Sequence, residues 1–257
     1  MKLIDINSDV GEGFGIWSLG DDEEVLQYVT SANIACGLHA GDPLIMDHTI
    51  EKCIEKSVSI GAHPGLPDIQ GFGRRNMDMS PKEIESYVLY QIGALEAFAN
   101  WRKVKVTHVK PHGALYNRAA VDWATAMAVA HAVQKGGQDL ILVGLAGSLM
   151  LDAADKIGIP KASEGFADRA YNPDGTLAPR TSFGAVIHDP DQIAQRAVQM
   201  VKEQTVLTPS GEKVSLKIDT ICIHGDTPGA PLIAKTVRDR LLDMNCQVVP
   251  LWKISGR

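Results

Sequence analysis

Seven short apolar runs, each closed by turn residues and separated from the next by a longer stretch, leave this chain few folds to choose from. The runs lie at residues 2–7, 31–36, 58–62, 104–110, 140–145, 160–164 and 219–224. Helical periodicity falls between or after them at 43–57, 80–100, 121–135, 147–156, 190–204 and 228–244. Strands that alternate with helices pair in parallel, because a parallel return to the same sheet needs a crossover, usually a helix. Two helix starts carry their own signal, since Asp42-Pro43 and Ser80-Pro81 each set a capping side chain before a proline suited to the first turn. A segment at 207–217 has turn chemistry and reads as a small β-hairpin before the last strand. No linker or low-complexity tract divides the 257 residues, a length at which α/β barrels commonly form one unit, so a single domain over 1–257 is expected.

Charge and apolar patterning remove several functions. With 25 Lys+Arg against 31 Asp+Glu the formal net charge is −6, which gives no electrostatic reason to bind nucleic acid or an anionic membrane. No apolar run approaches the roughly 18 residues of a membrane span. At the N-terminus Asp5 interrupts any signal-like stretch, so the expected location is the cytoplasm. Cys36, Cys53, Cys222 and Cys246 show neither a CxxC pair nor a zinc spacing and are read as buried free thiols.

The polar residues are not scattered. In a parallel α/β fold the C-terminal ends of the strands and the loops after them form the active face. Asp5, Asn7, Asp9 and Glu12 belong to the first strand end; His39 and Asp42 follow the second; His63 and Asp68 follow the third. Lys110, His112, Tyr116 and Asn117 follow the fourth, Glu164, Asp168, Arg169 and Tyr171 the sixth, and His224 and Asp226 the last. Four of the eight histidines therefore come directly after a strand, where their rings project into a central mouth. Asp5 and Asn7 alternate with apolar neighbours and point the same way, into the barrel. A buried aspartate needs a partner, and Lys110 is the expected one, kept charged by carboxylates and able to neutralise an oxyanion or phosphate. Arg74 and Arg75 follow flexible glycines in GFGRR and, with Arg169 and Arg180, are expected to meet an anionic group. The GDTPGAP loop at 225–231 can offer backbone N–H groups to a phosphate. The sequence has no GxxxxGK[ST], no GxGxxG after a strand, no GxSxG and no HExxH.

Read together, DINSDVGEGFG, NIACGLHAGDP, GAHPGLPDIQGFGRR, VKPHGALYN, SEGFADRAY and ICIHGDTPGA resemble the motifs of the LamB/YcsF family, in order and over nearly the whole chain. The resemblance implies a distorted seven-stranded α/β barrel like that of sugar deacetylases. It also implies ATP-dependent opening of the lactam of 5-oxo-L-proline to L-glutamate by a complex of three kinds of subunit. This chain would be one of them, with two other subunit types as partners and ATP with Mg2+ as the cofactor of the assembled complex. Such a reaction asks for cations, oriented amides and a base rather than a covalent nucleophile. Lys110 and the arginines meet that demand; Asp5, Asp9, Glu12 and Glu164 are the candidate bases, with Asn7 beside them and His39, His63 and His112 as proton carriers. Arg74, Arg75, Tyr116, Asn117, Arg169, His224 and Asp226 are expected to bind substrate or nucleotide.

A second resemblance leads elsewhere. In metal-dependent deacetylases of related barrel shape an aspartate after strand one and histidines after strands three and four hold a divalent metal, and the matching positions are Asp9, His63 and His112. A lysine at 110 sets positive charge beside that position, which weighs against a metal. Two alternatives thus stand beside the lactamase-complex reading: a stand-alone metal-dependent amidohydrolase or deacetylase, and a non-catalytic substrate-binding subunit. The sequence is compatible with a homodimer and points to no particular surface for it.

Overall fold

A computed structural model describes residues 2–255 of the chain. Seven parallel strands close into a barrel: β1 (Leu3–Val10), β2 (Ser31–Ala35), β3 (Ser59–His63), β4 (Val106–Val109), β5 (Ile141–Leu145), β6 (Lys161–Phe166) and β9 (Thr220–His224), with β9 pairing back onto β1. Between β6 and β9 lies the hairpin of β7 (Thr205–Leu207) and β8 (Lys213–Ser215), antiparallel as the turn chemistry indicates. The four cysteines are buried and free. Among the described residues no helix is long and apolar enough to cross a membrane.

Closure is uneven. The carbonyls of Lys2 and Ile4 accept from Gln247 and Val249, and that of Ile6 accepts from Thr30. By alternation these oxygens share one edge of β1, so the two-residue strand β10 (Gln247–Val248) continues below β2 along the same edge. Strand β10 carries too little pattern to be read from sequence. The seam between β4 and β5 is held by two residue pairs only.

Around the barrel run α2 (Pro43–Lys56), α3 (Pro81–Trp101), α5 (Trp123–Gly136), α6 (Leu149–Ile157), α7 (Pro190–Glu203) and α8 (Ala230–Asp243). Three short helices join them: α1 (Asp22–Val25), α4 (Gly113–Val121) and α9 (Trp252–Ser255). The expected caps form: Asp42 accepts from the Leu44 and Ile45 amides, and Ser80 and Glu83 make a reciprocal capping box. Helix α4 is a departure from the sequence reading, which starts the helical stretch after the fourth strand only at residue 121. It opens on Gly113, a poor helix former, directly after the strand-end histidine, so pattern alone gives no start signal.

The barrel wall sorts its residues by the period of two. Ile4, Ile6 and Val10 of β1 join the apolar layer under the helices, together with Ile50 of α2, Leu95 of α3 and Val237 of α8. Asp5, Asn7 and Asp9 take the other face and meet Ser31, Asn33, Thr220, Glu164 and Lys110 inside the barrel. The interior is thus a stack of hydrogen-bonded polar side chains, where barrels of this kind more often pack branched apolar ones. Strand β1 extends to Val10, three residues past the expected end, because Asp9 stays in register with Asn33 on one side and His224 on the other.

Candidate active site

Lys110 stands at the centre of the polar stack. Leaving β4, it enters the barrel 2% exposed, and its ammonium donates to Asp9 Oδ1 at 2.9 Å, with Glu164 Oε1 at 2.9 Å, Asn7 Oδ1 at 3.2 Å and Cys222 Sγ at 3.1 Å. Burial alone would drive this lysine neutral; the Asp9 and Glu164 carboxylates outweigh it and hold the ammonium well above its ordinary range. Burial likewise works against the Asp9 carboxylate, but His63 and Lys110 keep it well below the usual carboxylate range. Glu164 is further fixed by Asn7 Nδ2 at 2.9 Å and by the Tyr116 hydroxyl at 2.7 Å.

Asp5 does not meet Lys110. It lies two inward layers below Asp9, where the hydroxyls of Thr30, Ser31 and Thr220 donate to it. Burial pushes its carboxyl up to about 6 despite those bonds. The expectation of an Asp5–Lys110 pair is corrected by the register: two residues of strand separate each inward layer, and Lys110 reaches the layer of Asp9.

Above Asp9 the histidines gather. His63 Nδ1 donates to the Lys110 carbonyl at 2.7 Å, and His112 Nε2 donates to the Phe72 carbonyl at 2.8 Å. A carbonyl only accepts, so both remaining ring nitrogens present lone pairs, His63 Nε2 and His112 Nδ1, 3.0 Å apart. Two facing lone pairs in a buried site call for a proton or a cation between them. Asp9 Oδ2 lies 3.4 Å from His63 Nε2, and Glu12 Oε1 lies 3.7 Å from the same atom, 3.2 Å from His112 Nδ1 and 3.2 Å from His39 Nε2. His39 stacks on His112 at 3.8 Å. Burial and the neighbouring His112 push His39 down to about 3, while His63 is raised, because Asp9 overcomes its burial. Gly73 makes the stacking possible: a Cβ there would stand 2.7 Å from His39 Cβ and 2.9 Å from His112 Cδ2.

This donor set fits a divalent cation. Ligands about 2.1 Å from a tetrahedral ion stand about 3.4 Å from one another, close to the separations just given among Glu12, His63 and His112 and to that of Asp9 from His63. The second nitrogens of His63 and His112 are already tied to carbonyls, as metal-binding imidazoles are oriented. Glu12, His39, His63 and His112 together form a buried group able to hold a metal ion. Lys110 does not block it, since its ammonium occupies Asp9 Oδ1 while Oδ2 faces the rings. The sequence reading gives Asp9, His63 and His112; the geometry adds Glu12 and His39.

A second pair faces them. His224 Nδ1 donates to Asp168 Oδ2 at 2.6 Å, and the imidazole stacks on Phe166 with centroids 5.5 Å apart. The other Asp168 oxygen, Oδ1, is buried with no hydrogen-bond partner among the described residues. Both groups open on a cavity of about 820 Å³ at the C-terminal ends of the strands. Its walls include Asp9, Glu12, His63, Lys110, His112, Tyr116, Arg169 and His224, with Arg74, Asn117 and Asp226 nearer solvent. Asp5, Asn7, His39 and Glu164 stand behind this wall as support. Arg75 is turned away and pairs with Asp68, so it does not reach the cavity. Arg74 reaches it and is held by Asp226 at 2.7 Å; Arg180, from the loop before α7, lines it as well. The Arg169 guanidinium ties the Ala178 and Ala185 carbonyls, which limits how freely it meets a ligand.

Asn33, His108, Thr220 and Cys222 complete the network without being singled out by the sequence. His108 Nε2 lies 3.0 Å from Asn33 Oδ1, and Asn33 Nδ2 donates to Asp9 Oδ1 at 2.8 Å. Their only signal is a place in apolar strands at positions of the inward period, which strand register alone turns into contacts.

Residues 4–256 match the LamB/YcsF family. A protein named as a 5-oxoprolinase subunit from Pyrococcus abyssi (strain GE5 / Orsay) is 52% identical over 253 residues, covering 98% of this chain and 99% of its own length. Another of that name from Clostridium beijerinckii is 48% identical, covering 99% of this chain and all of the relative. The crystal structure of a lactam utilization protein from Thermus thermophilus superposes with a TM-score of 0.91 at 44% identity, over 97% of this chain and 99% of that one.

Proposed function

The chain belongs to the LamB/YcsF family and is a subunit of a 5-oxoprolinase, a hydrolase; from that premise we propose that its barrel mouth is where the lactam ring is opened. The observation that carries this reading is the buried ring of Asp9, Glu12, His63 and His112 opening on the large cavity beside a charged lysine.

A five-membered lactam is a poor electrophile, and phosphorylation of its amide oxygen by ATP, with ADP leaving, makes it a better one; water then adds, the C–N bond breaks, and a second water releases the phosphoryl group as phosphate to give glutamate. ATP with Mg2+ is the cofactor of the assembled complex, in which two other subunit types are the partners, in the cytoplasm. Arg74 and Arg180 at the outer wall neutralise the carboxylate and phosphoryl oxygens of such a substrate. Asp9, held ionised by His63 and Lys110, takes the proton from the attacking water, which Glu12 helps to position. A divalent cation held by Glu12, His63 and His112 would supply Lewis acidity and a lowered water pKa there, with Asp9 left beside it to accept the proton. Asp168 holds His224 by its Nδ1–H, so that His224 Nε2, a lone pair in the neutral ring, takes up the proton released by the water and passes it to the departing ring nitrogen, with Asp168 steadying the imidazolium in between. Lys110 serves chiefly to keep Asp9 charged and to hold Asp9 and Glu164 in place, because its three N–H groups are already taken up.

The test is glutamate formation from 5-oxoproline and ATP by the chain alone and mixed with its partner subunits, each with and without EDTA. Glutamate from the mixture only is expected. ATP-independent hydrolysis of simple amides by the isolated chain, removed by EDTA, would replace this reading with the stand-alone metallohydrolase, which the histidine cluster also suits. Unchanged turnover by a complex carrying His63→Ala would leave only the substrate-binding role.

A further inference from the structure

Helix α3 turns a largely exposed face away from the mouth, with Ala94 half-buried at its edge. Tyr87, Tyr90, Ala94, Ala97 and Trp101 recur every three or four residues along it, with Tyr90 65% and Trp101 74% exposed. Next to Trp101 a hollow of about 380 Å³ lies between α2 and α3, lined by Asp47, Ala97, Phe98 and Trp101. Large aromatics at both ends of a stripe, small residues at its middle and a hollow at one end form a self-complementary pattern.

The spacing decides what complements it. Tyr90 and Trp101 are about 16 Å apart along the axis at 1.5 Å per residue. In an antiparallel pair of α3 helices with its two-fold axis between Ala94 and Ala97, each Tyr90 faces Trp101 of the second copy and each Ala94 faces Ala97. Alanines at the crossing let the backbones approach closely, and the Asp47 carboxylate in the hollow offers the Tyr90 hydroxyl an acceptor.

Charge agrees with that direction. The first turn of α3 carries Glu83 on the same exposed side, and the chain leaving the helix carries Lys103 and Lys105. All three are exposed, and the described residues offer them no ion-pair partner; Glu83 bonds only to Ser80, whereas Glu85 pairs with Lys82 and Lys135, and Arg102 with Asp47 and Glu51. An antiparallel arrangement brings the free carboxylate at one helix start towards the free ammonium groups at the other helix end, and it opposes the helix dipoles favourably.

We propose that the chain forms a two-fold homodimer through this face, with Tyr90 of each copy seated in the hollow beside Trp101 of the other. The mouth stays clear, since the cavity above is lined by no residue of α3. An isologous contact of this kind is the commonest form of oligomer and needs only one patch.

Sedimentation velocity of the full chain over a wide concentration range tests it, with thermal melting as the check on folding. A monomer–dimer equilibrium is expected. Ala97→Glu, at an exposed position, should abolish the dimer while the chain still melts cooperatively. Glu83→Gln keeps the helix cap, which glutamine can also make, and removes only the charge. Because it removes the pair from both ends of the two-fold contact, it should raise the dimer Kd by up to about tenfold, about threefold for each exposed ion pair, and should have no effect when Lys103 and Lys105 are also replaced by Gln. A chain that stays monomeric throughout, or a dimer indifferent to Ala97→Glu, overturns the proposal. So does a monomer that captures one of the other subunit types through this face.

Discussion

At the scale of single residues the decisive fact is that one ammonium bridges two buried carboxylates. Lys110→Met removes the charge that holds Asp9 and Glu164 together and leaves both carboxylates buried without it. Breaking a buried pair from one side costs about 3–5 kcal/mol, so this variant should lose melting temperature as well as glutamate-forming activity. A strand-end lysine that merely projected into solvent would leave stability untouched, and a wild-type melting curve would show that. Asp5 behaves in the opposite sense. Its carboxyl is raised from 3.8 to about 6, so the folded state holds the proton more tightly than the unfolded state does. Its effect is therefore neutral at low pH, and the cost of a buried charge appears as pH rises from about 4 through about 6. At 1.36 kcal/mol per pKa unit that cost is about 3 kcal/mol. Asp5→Asn should gain on the wild type by an amount of that order between acid and neutral pH, read from paired denaturation curves. Parallel pH profiles for the two proteins would contradict the assignment.

At the scale of elements, the site depends on strands coming close enough for rings to lie across them. Gly61 on β3 faces His108 on β4, and a Cβ at 61 would run into that imidazole. Gly61→Ala should therefore displace His108 from Asn33, with an overpacking cost of about 1–3 kcal/mol and weaker turnover through Asp9; an unchanged melting temperature would show that the ring has room to move. The same geometry explains what is legible in the sequence. Asp9, His63, Lys110, His112 and His224 can be named because polar residues interrupting apolar runs at strand ends have one sensible place to go. Asn33, His108, Thr220 and Cys222 cannot, because each is an ordinary small or polar residue in a strand until the register of its neighbours is known. Arg75 shows the converse error: a loop arginine reads as a ligand contact, but Asp68 seven residues earlier already takes it. Helix α4 is hidden by its glycine start and β10 by its length.

At the scale of the whole molecule, the barrel divides its surface into a polar mouth and an outer wall. Apolar side chains stand exposed in loops beside the cavity-lining segments, with Trp17 on the loop after β1 and Phe183 on the loop before α7. The central claim is that chemistry happens inside that mouth, at Asp9 and the histidines above it. The most direct test is glutamate formation by the reconstituted complex in which this chain carries Asp9→Asn, with assembly of the complex and melting temperature measured on the same preparation. The expected result is a complex that assembles and turns over at least about a hundredfold more slowly, the scale on which general acid–base groups contribute. An assembled Asp9→Asn complex that makes glutamate at the wild-type rate would place the ring opening elsewhere.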